Sequence, residues 1–175
     1  MTTFGGGRRH RRPELDRWPR GTEPPGAAVF AHNVRVIAAD GADLWRLLVA
    51  AEDWPRWYPN ARQVEVADGT GRLGPDAAFR WRTFGVTVHS QVVEYAPPEH
   101  LGWIWWATGL HGYHGWRLDD HAAGTRVITE ETQRGPRASR LALPLTAALS
   151  VGHWLWLAGL AAQVSRSSGP GEPEP

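Results

Sequence analysis

The sequence predicts a single α+β domain in which a seven-stranded antiparallel sheet packs against a long C-terminal helix. Three observations support this fold class. Short β-prone segments between residues 63 and 133 are separated by turn signals at fairly regular intervals. A strand and a helical stretch precede them, and residues 141–165 contain no charged side chain. The length of 175 residues suits one ordinary domain.

The first elements are one strand and two short helices. Small and β-branched residues predict a strand over 28–38. Asp40 is a predicted N-cap for a helix from Ala42 to about Ala51, in which leucines recur at helical spacing. Prolines then interrupt residues 53–60, so the prediction there is a short helical turn.

Six further strands form a meander, and a helix closes the chain. The strands are predicted over 63–67, 77–84, 86–95, 101–107, 110–118 and 125–133. Strands that follow one another through tight turns pair as antiparallel neighbours. The final helix is predicted over 138–164, and Pro144 must bend or restart it.

Composition excludes several kinds of chemistry. The chain has 19 Arg, no Lys and no Cys. Schiff-base lysines, thiol nucleophiles and cysteine-ligated metals are therefore excluded. His111 and His114 have a spacing that places them on opposite faces of a strand, so neither a metal nor any other cofactor is predicted. The formal net charge of +1 gives no reason to expect a nucleic-acid partner.

The two ends of the chain differ from its centre. Residues 1–27 are predicted to be a disordered arm rich in Arg, Gly and Pro, residues 28–165 the domain, and residues 166–175 a flexible tail. The arm lacks the apolar stretch of a secretory signal. A cytoplasmic protein is expected, with peripheral attachment to a membrane left open.

Four short motifs, taken in chain order, resemble a known family. They are Trp54-Pro55-Arg56-Trp57-Tyr58-Pro59-Asn60, Phe79-Arg80-Trp81 ahead of Gly85, residues 92–98 leading into Leu101-Gly102-Trp103, and Gly124-Thr125-Arg126-Val127. Over residues 29–164 the chain resembles the polyketide cyclase/dehydrase branch of the START-like (SRPBCC, Bet v 1-like) superfamily. The resemblance implies a helix-grip fold, with the sheet curved around the C-terminal helix and a deep apolar cavity between them. Members bind lipids, sterols or polyketides, and a minority catalyse cyclisation or dehydration. An Arg- and Ala-rich chain without Lys is typical of a high-GC bacterial genome, which fits polyketide metabolism.

Strand alternation predicts which polar side chains face that cavity. A tight turn at Ala122-Ala123 pairs residues whose numbers sum to 245, which places His114 opposite Glu131. Apolar residues share this face of both strands, so it is the predicted inner face. A carboxylate beside an imidazole fixes its tautomer and raises its pKa. His114 and Glu131 are therefore the candidate acid–base pair, with a satisfied polar pair as the alternative.

Aromatic residues supply most of the predicted ligand contacts. The candidate ligand-binding residues are Trp57, Phe79, Trp81, Ser90, Trp103, Trp105, Trp116, Thr129 and Trp156. The predicted function is binding of a small hydrophobic molecule: a polyketide, a lipid or another polycyclic or aromatic compound. Two alternatives remain open. One is a cyclase or dehydratase that uses His114 and Glu131 without metal or nucleotide, with Tyr113 or Ser90 as auxiliary donors if the strand faces are misassigned. The other is a membrane-associated lipid carrier.

The outer face of the C-terminal helix is predicted to be apolar as well. Leu143, Ala147, Val151, Trp154 and Leu157 fall on it, where a gripping helix normally carries charges. Such a face needs a second covering surface. A homodimer contact and docking to a membrane surface are the two candidate coverings.

Overall fold

The computed structural model describes residues 13–167 and confirms the predicted fold class. Seven strands, three α-helices and one 3-10 helix follow in the predicted order. They are β1 (Val29–Ile37), α1 (Gly41–Val49), the 3-10 helix (Ala51–Arg56), β2 (Arg62–Val66), β3 (Ala78–Thr83), β4 (Val86–Ala96), β5 (His100–Ala107), β6 (Leu110–His121), β7 (Gly124–Arg134), α2 (Pro136–Arg140) and α3 (Ala142–Ser167).

All neighbouring strands are antiparallel, and their order across the sheet is β1-β7-β6-β5-β4-β3-β2. The meander therefore runs from β2 to β7, and β1 closes the sheet beside β7. The β6–β7 register is the predicted one, because His114 pairs with Glu131 and Trp116 with Thr129. Each pair places two side chains on the same face of the sheet.

Local signals explain the helix boundaries. The Asp40 carboxylate accepts a hydrogen bond from the Ala42 N–H at 2.7 Å, which is the predicted N-cap of α1. The C-terminal helical segment restarts at Leu141, so Pro144 lies in the first turn of α3, where a missing N–H costs nothing. Trp156, Leu160 and Val164 are buried, as helical spacing predicts. Leu149 and His153 are buried too, whereas Leu141 and Ala148, which the same spacing assigns to the inner face, are exposed.

Trp156 on α3 attaches the helix to the sheet. Its ring lies 5.1 Å from the rings of both Trp54 and Trp116 and stacks on Tyr58 at 4.4 Å, measured between centroids. It also contacts the ring of Trp81 at 5.6 Å. Aromatic pairs at these separations add to the free energy gained from burying their apolar area. Trp156 is therefore the main contact that holds α3 over the sheet.

Residues 13–27, which the sequence analysis includes in a disordered arm, instead pack across the outer face of the sheet. The Glu130 carboxylate accepts the backbone N–H groups of Glu14 at 2.7 Å and Leu15 at 3.1 Å. Trp18 packs on Tyr113 at 5.3 Å between ring centroids. The prediction fails because the segment is polar and proline-rich, and only the folded sheet provides its partners. Residues 1–12 and 168–175 lie outside the described residues, and α3 continues to Ser167, past the predicted boundary at 165.

The outward face of α3 is apolar, as predicted, with one correction. Leu143, Val151 and Trp154 are 69%, 59% and 60% exposed, but Leu157 is buried against the core. By length and composition, residues 142–166 could cross a membrane, although a core helix of a soluble protein passes the same test. Homodimer and membrane contacts both stay predictions.

Two glycines let α3 approach the rest of the domain. A Cβ atom at Gly159 would lie 2.3 Å from the backbone oxygen of Trp57, which cannot move aside. A Cβ atom at Gly152 would lie 2.6 Å from Cζ of Phe84, at the end of a half-exposed side chain. Only the first contact is rigid.

We expect Gly159→Ala and Gly152→Ala to change the free energy of unfolding by different amounts. Gly159→Ala should lower the free energy of unfolding by about 1–3 kcal/mol, because overpacking against backbone exceeds the helix-propensity gain. Gly152→Ala should stay within about 1 kcal/mol of the wild type, since the alanine preference of a helix interior offsets the displacement of Phe84. Urea unfolding of both variants measures the difference. Equal stabilities would contradict the close approach at Trp57.

Candidate ligand cavity and its polar cluster

An apolar cavity of about 160 Å³ lies between the inner face of the sheet and α3. Strands β3 to β7 form one wall, and Leu145, Leu149 and Trp156 of α3 form the other. Phe84, which follows β3, and Ala148 of α3 also line the cavity and are themselves exposed, so they lie at its mouth.

The predicted ligand-binding residues divide into two groups. Trp81, Trp103, Trp105 and Trp156 line the cavity. The other five, which are Trp57, Phe79, Ser90, Trp116 and Thr129, do not line it, although all are buried. Their side chains belong to the core around the cavity. Phe79, for example, packs against Trp54 of the 3-10 helix, which also contacts the cavity-lining Trp103.

The predicted pair His114 and Glu131 lies at the cavity wall and has a third member. His114 Nδ1 is 3.3 Å from Glu131 Oε2. His153 of α3 approaches the same oxygen with its Nε2 at 3.2 Å. All three side chains line the cavity and are nearly inaccessible to solvent. A strand pair and a helix thus bring two imidazoles to one carboxylate oxygen.

Further hydrogen bonds fix the orientation of this cluster. Glu131 Oε1 accepts a hydrogen bond from Gln133 Nε2 at 2.9 Å. His114 Nε2 lies 2.7 Å from the hydroxyl oxygen of Thr129. Thr129, a predicted ligand contact, therefore contacts the second ring nitrogen of His114 instead. His153 Nδ1 is buried and has no hydrogen-bond partner in the part of the chain that the structure describes.

The environment reverses one electrostatic prediction. Sequence reasoning expects Glu131 to raise the pKa of His114. Instead, burial lowers the pKa of His114 well below its ordinary value, and the neighbouring His153 lowers it further. The desolvation free energy of a charged imidazolium exceeds the stabilisation that one carboxylate contact provides. His114 is therefore a neutral imidazole at neutral pH.

Tyr58 adds a hydrogen-bond donor to the cavity wall. Burial is the main cause that raises the pKa of Tyr58 to about 12, so its hydroxyl stays protonated. The oxygen accepts a hydrogen bond from Asn60 Nδ2 at 3.0 Å, and the Thr83 side chain also hydrogen-bonds to this hydroxyl. Tyr58 lies in the predicted Trp54–Asn60 motif but is not among the predicted contacts.

Several indole N–H groups around the cavity have no hydrogen-bond partner among residues 13–167. Those of the four cavity-lining tryptophans are buried and unpaired. The Ser90 hydroxyl is buried and unpaired too. Buried donors of this kind are normally satisfied, so an acceptor that enters the cavity would be bound favourably.

His153 is the functional candidate that sequence reasoning missed. It lies in an apolar helix, where a lone histidine reads as a core residue. Its signal is its spacing, because His153 and Trp156 are three residues apart and share a helix face. His111 and His114 lie on opposite faces of β6, as predicted, since His111 is exposed and His114 is buried. The carboxylate and second imidazole near His114 come instead from β7 and α3.

Comparison with solved structures places the fold among known proteins. The hypothetical protein jhp0584 from Helicobacter pylori is 27% identical, with a TM-score of 0.80, and the match covers 94% of this chain and 99% of that one. The Zhui aromatase/cyclase from Streptomyces sp. R1128 is 15% identical, with a TM-score of 0.66, over 78% of this chain and 93% of that one. The di-domain aromatase/cyclase StfQ from the steffimycin biosynthetic pathway is 18% identical, with a TM-score of 0.65, over 81% of this chain and 52% of that one.

A search of curated protein sequences finds no significant match. The family model described as polyketide cyclase/dehydrase and lipid transport matches residues 30–152. That range runs from β1 into α3 and contains the meander with His114 and Glu131. The match confirms the resemblance stated from the sequence. The chain therefore belongs to the polyketide cyclase/dehydrase and lipid transport family.

Proposed function

We propose that the protein binds a small, mainly apolar molecule carrying acceptor oxygens in the cavity between the sheet and α3. The observation that carries this proposal is the composition of the cavity wall. Aromatic and aliphatic side chains form most of it, and a few polar groups converge on one side. Ligand sites in proteins typically have this composition.

Cavity volume supports a ligand of about one aromatic ring. An engineered apolar cavity of about 150 Å³ is known to bind benzene, and the cavity here measures about 160 Å³. A polyketide or polycyclic compound of several rings would need α3 or the Phe84 side chain to move. The expected ligand is therefore a one-ring compound, or one ring of a longer molecule whose remainder extends through the cavity mouth.

Unpaired donors support the oxygen content of the ligand. Among residues 13–167, the N–H groups of four cavity-lining tryptophans have no hydrogen-bond partner. A carbonyl, phenol or ether oxygen accepts from such donors, whereas a pure hydrocarbon leaves them unsatisfied. An oxygenated aromatic ring should therefore bind more tightly than the corresponding hydrocarbon.

The first test uses the freshly purified protein. Native mass spectrometry followed by solvent extraction identifies any compound that co-purifies with it. Titration with p-cresol, and with toluene as the matched hydrocarbon, is then followed through the tryptophan indole signals in ¹H–¹⁵N NMR spectra. We expect saturable binding of p-cresol, with toluene weaker.

Two adjacent alanines of α3 supply the matched variants. Ala148 lies at the cavity mouth and Ala147 does not line the cavity, and both are exposed. Ala148→Phe should weaken p-cresol binding at least about tenfold, by occupying space at the mouth, and Ala147→Phe should leave it within about twofold. Equal dissociation constants for the two variants would exclude this cavity as the binding site.

A cyclase or dehydratase reaction in the same cavity is the second candidate. The observation that favours it is the contact of His114 and Glu131 at the cavity wall. A neutral imidazole oriented by a carboxylate is a common arrangement for proton transfer from a bound substrate. Tyr113, proposed as an auxiliary donor from the sequence, lies on the outer face and donates to Glu94, so it cannot serve this role.

A lipid carrier that contacts a membrane is the third candidate. The exposed face of α3 (Leu143, Val151 and Trp154) favours it, together with arginines at both ends of this apolar segment. Arg140 precedes α3 and Arg166 lies in its last turn, and both are exposed. Basic residues beside an apolar helix face match an anionic lipid surface.

Vesicle flotation separates this candidate from the others. Wild-type protein should float with phosphatidylglycerol vesicles at low salt and be released by high salt. Trp154→Ser should reduce the bound fraction severalfold, whereas Trp106→Ser, at an exposed tryptophan of β5, should not. No flotation at low salt dismisses the carrier. A dimer in sedimentation over a concentration series would then assign the face to a second copy.

A further inference from the structure

We infer that His114, Glu131 and His153 form a binding site for one divalent transition-metal ion, with its open side facing the cavity. The inference concerns the cluster alone and does not depend on the ligand proposed above. It also departs from the sequence-based expectation that the protein has no metal.

Two of the three distances between the candidate ligand atoms match those between metal ligands. His114 Nδ1 and His153 Nε2 lie 3.3 and 3.2 Å from Glu131 Oε2, and all three atoms lie within 4.8 Å of one another. Two atoms that each bind the same zinc ion at about 2.1 Å are roughly 3.0–3.4 Å apart for bond angles between 90° and 109°. The carboxylate oxygen thus already has this spacing to both imidazoles.

Neighbouring side chains contact the atoms of Glu131 and His114 that do not face the proposed metal site. Gln133 binds Glu131 Oε1, which leaves Oε2 to the cluster. Thr129 lies behind His114 and can accept a hydrogen bond from Nε2–H, which leaves the Nδ1 lone pair for a metal. Metal-binding histidines and carboxylates usually have outer contacts of this kind, and these contacts fix the tautomer and the ring orientation.

Charge supplies a further argument. Glu131 is 7% exposed, and its ion pairs within residues 13–167 are only with the two histidines. Burying the charge of a carboxylate without a compensating cation is costly. A divalent cation between Glu131 and the two histidines would compensate that charge.

The donor set defines the class of ion. Two imidazoles and one carboxylate suit Zn²⁺ and neighbouring divalent ions such as Co²⁺ and Fe²⁺, whereas Ca²⁺ and Mg²⁺ prefer oxygen ligands. Because all three side chains line the cavity, the remaining coordination position would face it. A bound water or an acceptor oxygen of the cavity ligand could then occupy that position.

The test is metal titration of the chelator-treated full-length protein. Calorimetry with ZnCl₂ should show one site per chain with a dissociation constant in the micromolar range or below. CoCl₂ should give the visible absorption of four- or five-coordinate cobalt. Each of His114→Gln, Glu131→Gln and His153→Gln should weaken Zn²⁺ binding at least about tenfold. His111→Gln is the matched control, because His111 is on the same strand as His114 but exposed on the opposite face, and should leave binding unchanged.

A second measurement does not depend on the folding of any variant. In long-range ¹H–¹⁵N spectra of the wild type, one equivalent of Zn²⁺ should shift Nδ1 of His114 and Nε2 of His153. Shifts confined to exposed histidines, or no stoichiometric site, would overturn the inference. Binding of p-cresol is measured without metal, so its failure and the failure of the metal site are distinguishable.

Discussion

The insertion of Trp156 among Trp54, Trp81 and Trp116 is the contact on which the arrangement of the site depends. Because α3 is attached at this ring, its rotation about its own axis is fixed, and the side chain one turn earlier must face the sheet. That side chain is His153, and it meets Glu131 at 3.2 Å. A purely apolar contact thus determines the geometry of the polar cluster.

The same contact limits the cavity. The ring of Trp156 occupies space that would otherwise lie between helix and sheet, and the remaining volume is about 160 Å³. The site is therefore a small apolar space with a polar cluster at one wall. In such surroundings water screens charge poorly, so the interaction of Glu131 with its two imidazoles is stronger than at a surface.

Local patterns predict the sheet well because strand alternation and tight turns act over short distances. The turn at Ala122-Ala123 fixes the register of β6 and β7, and that register places His114 beside Glu131. The remaining features depend on contacts between distant residues. The segment 13–27 is ordered by the Glu130 carboxylate more than a hundred residues away. His153 is not assigned to the site from the sequence because a lone histidine in an apolar helix is more typical of a core residue, and its contact with Glu131 joins α3 to β7.

Glu130 and Glu131 show how a strand directs two adjacent carboxylates into different surroundings. They are adjacent on β7, and their side chains point to opposite faces. Glu130 is fully buried, and backbone N–H groups together with His32 Nδ1 at 2.6 Å satisfy it. Every partner of that carboxylate belongs to the fold. Glu131 instead faces the cavity beside two imidazoles. Thr129 contacts the second nitrogen of His114, whereas Nδ1 of His153 has no partner among residues 13–167. The inner carboxylate therefore faces the cavity, and the outer one holds the N-terminal segment against the sheet.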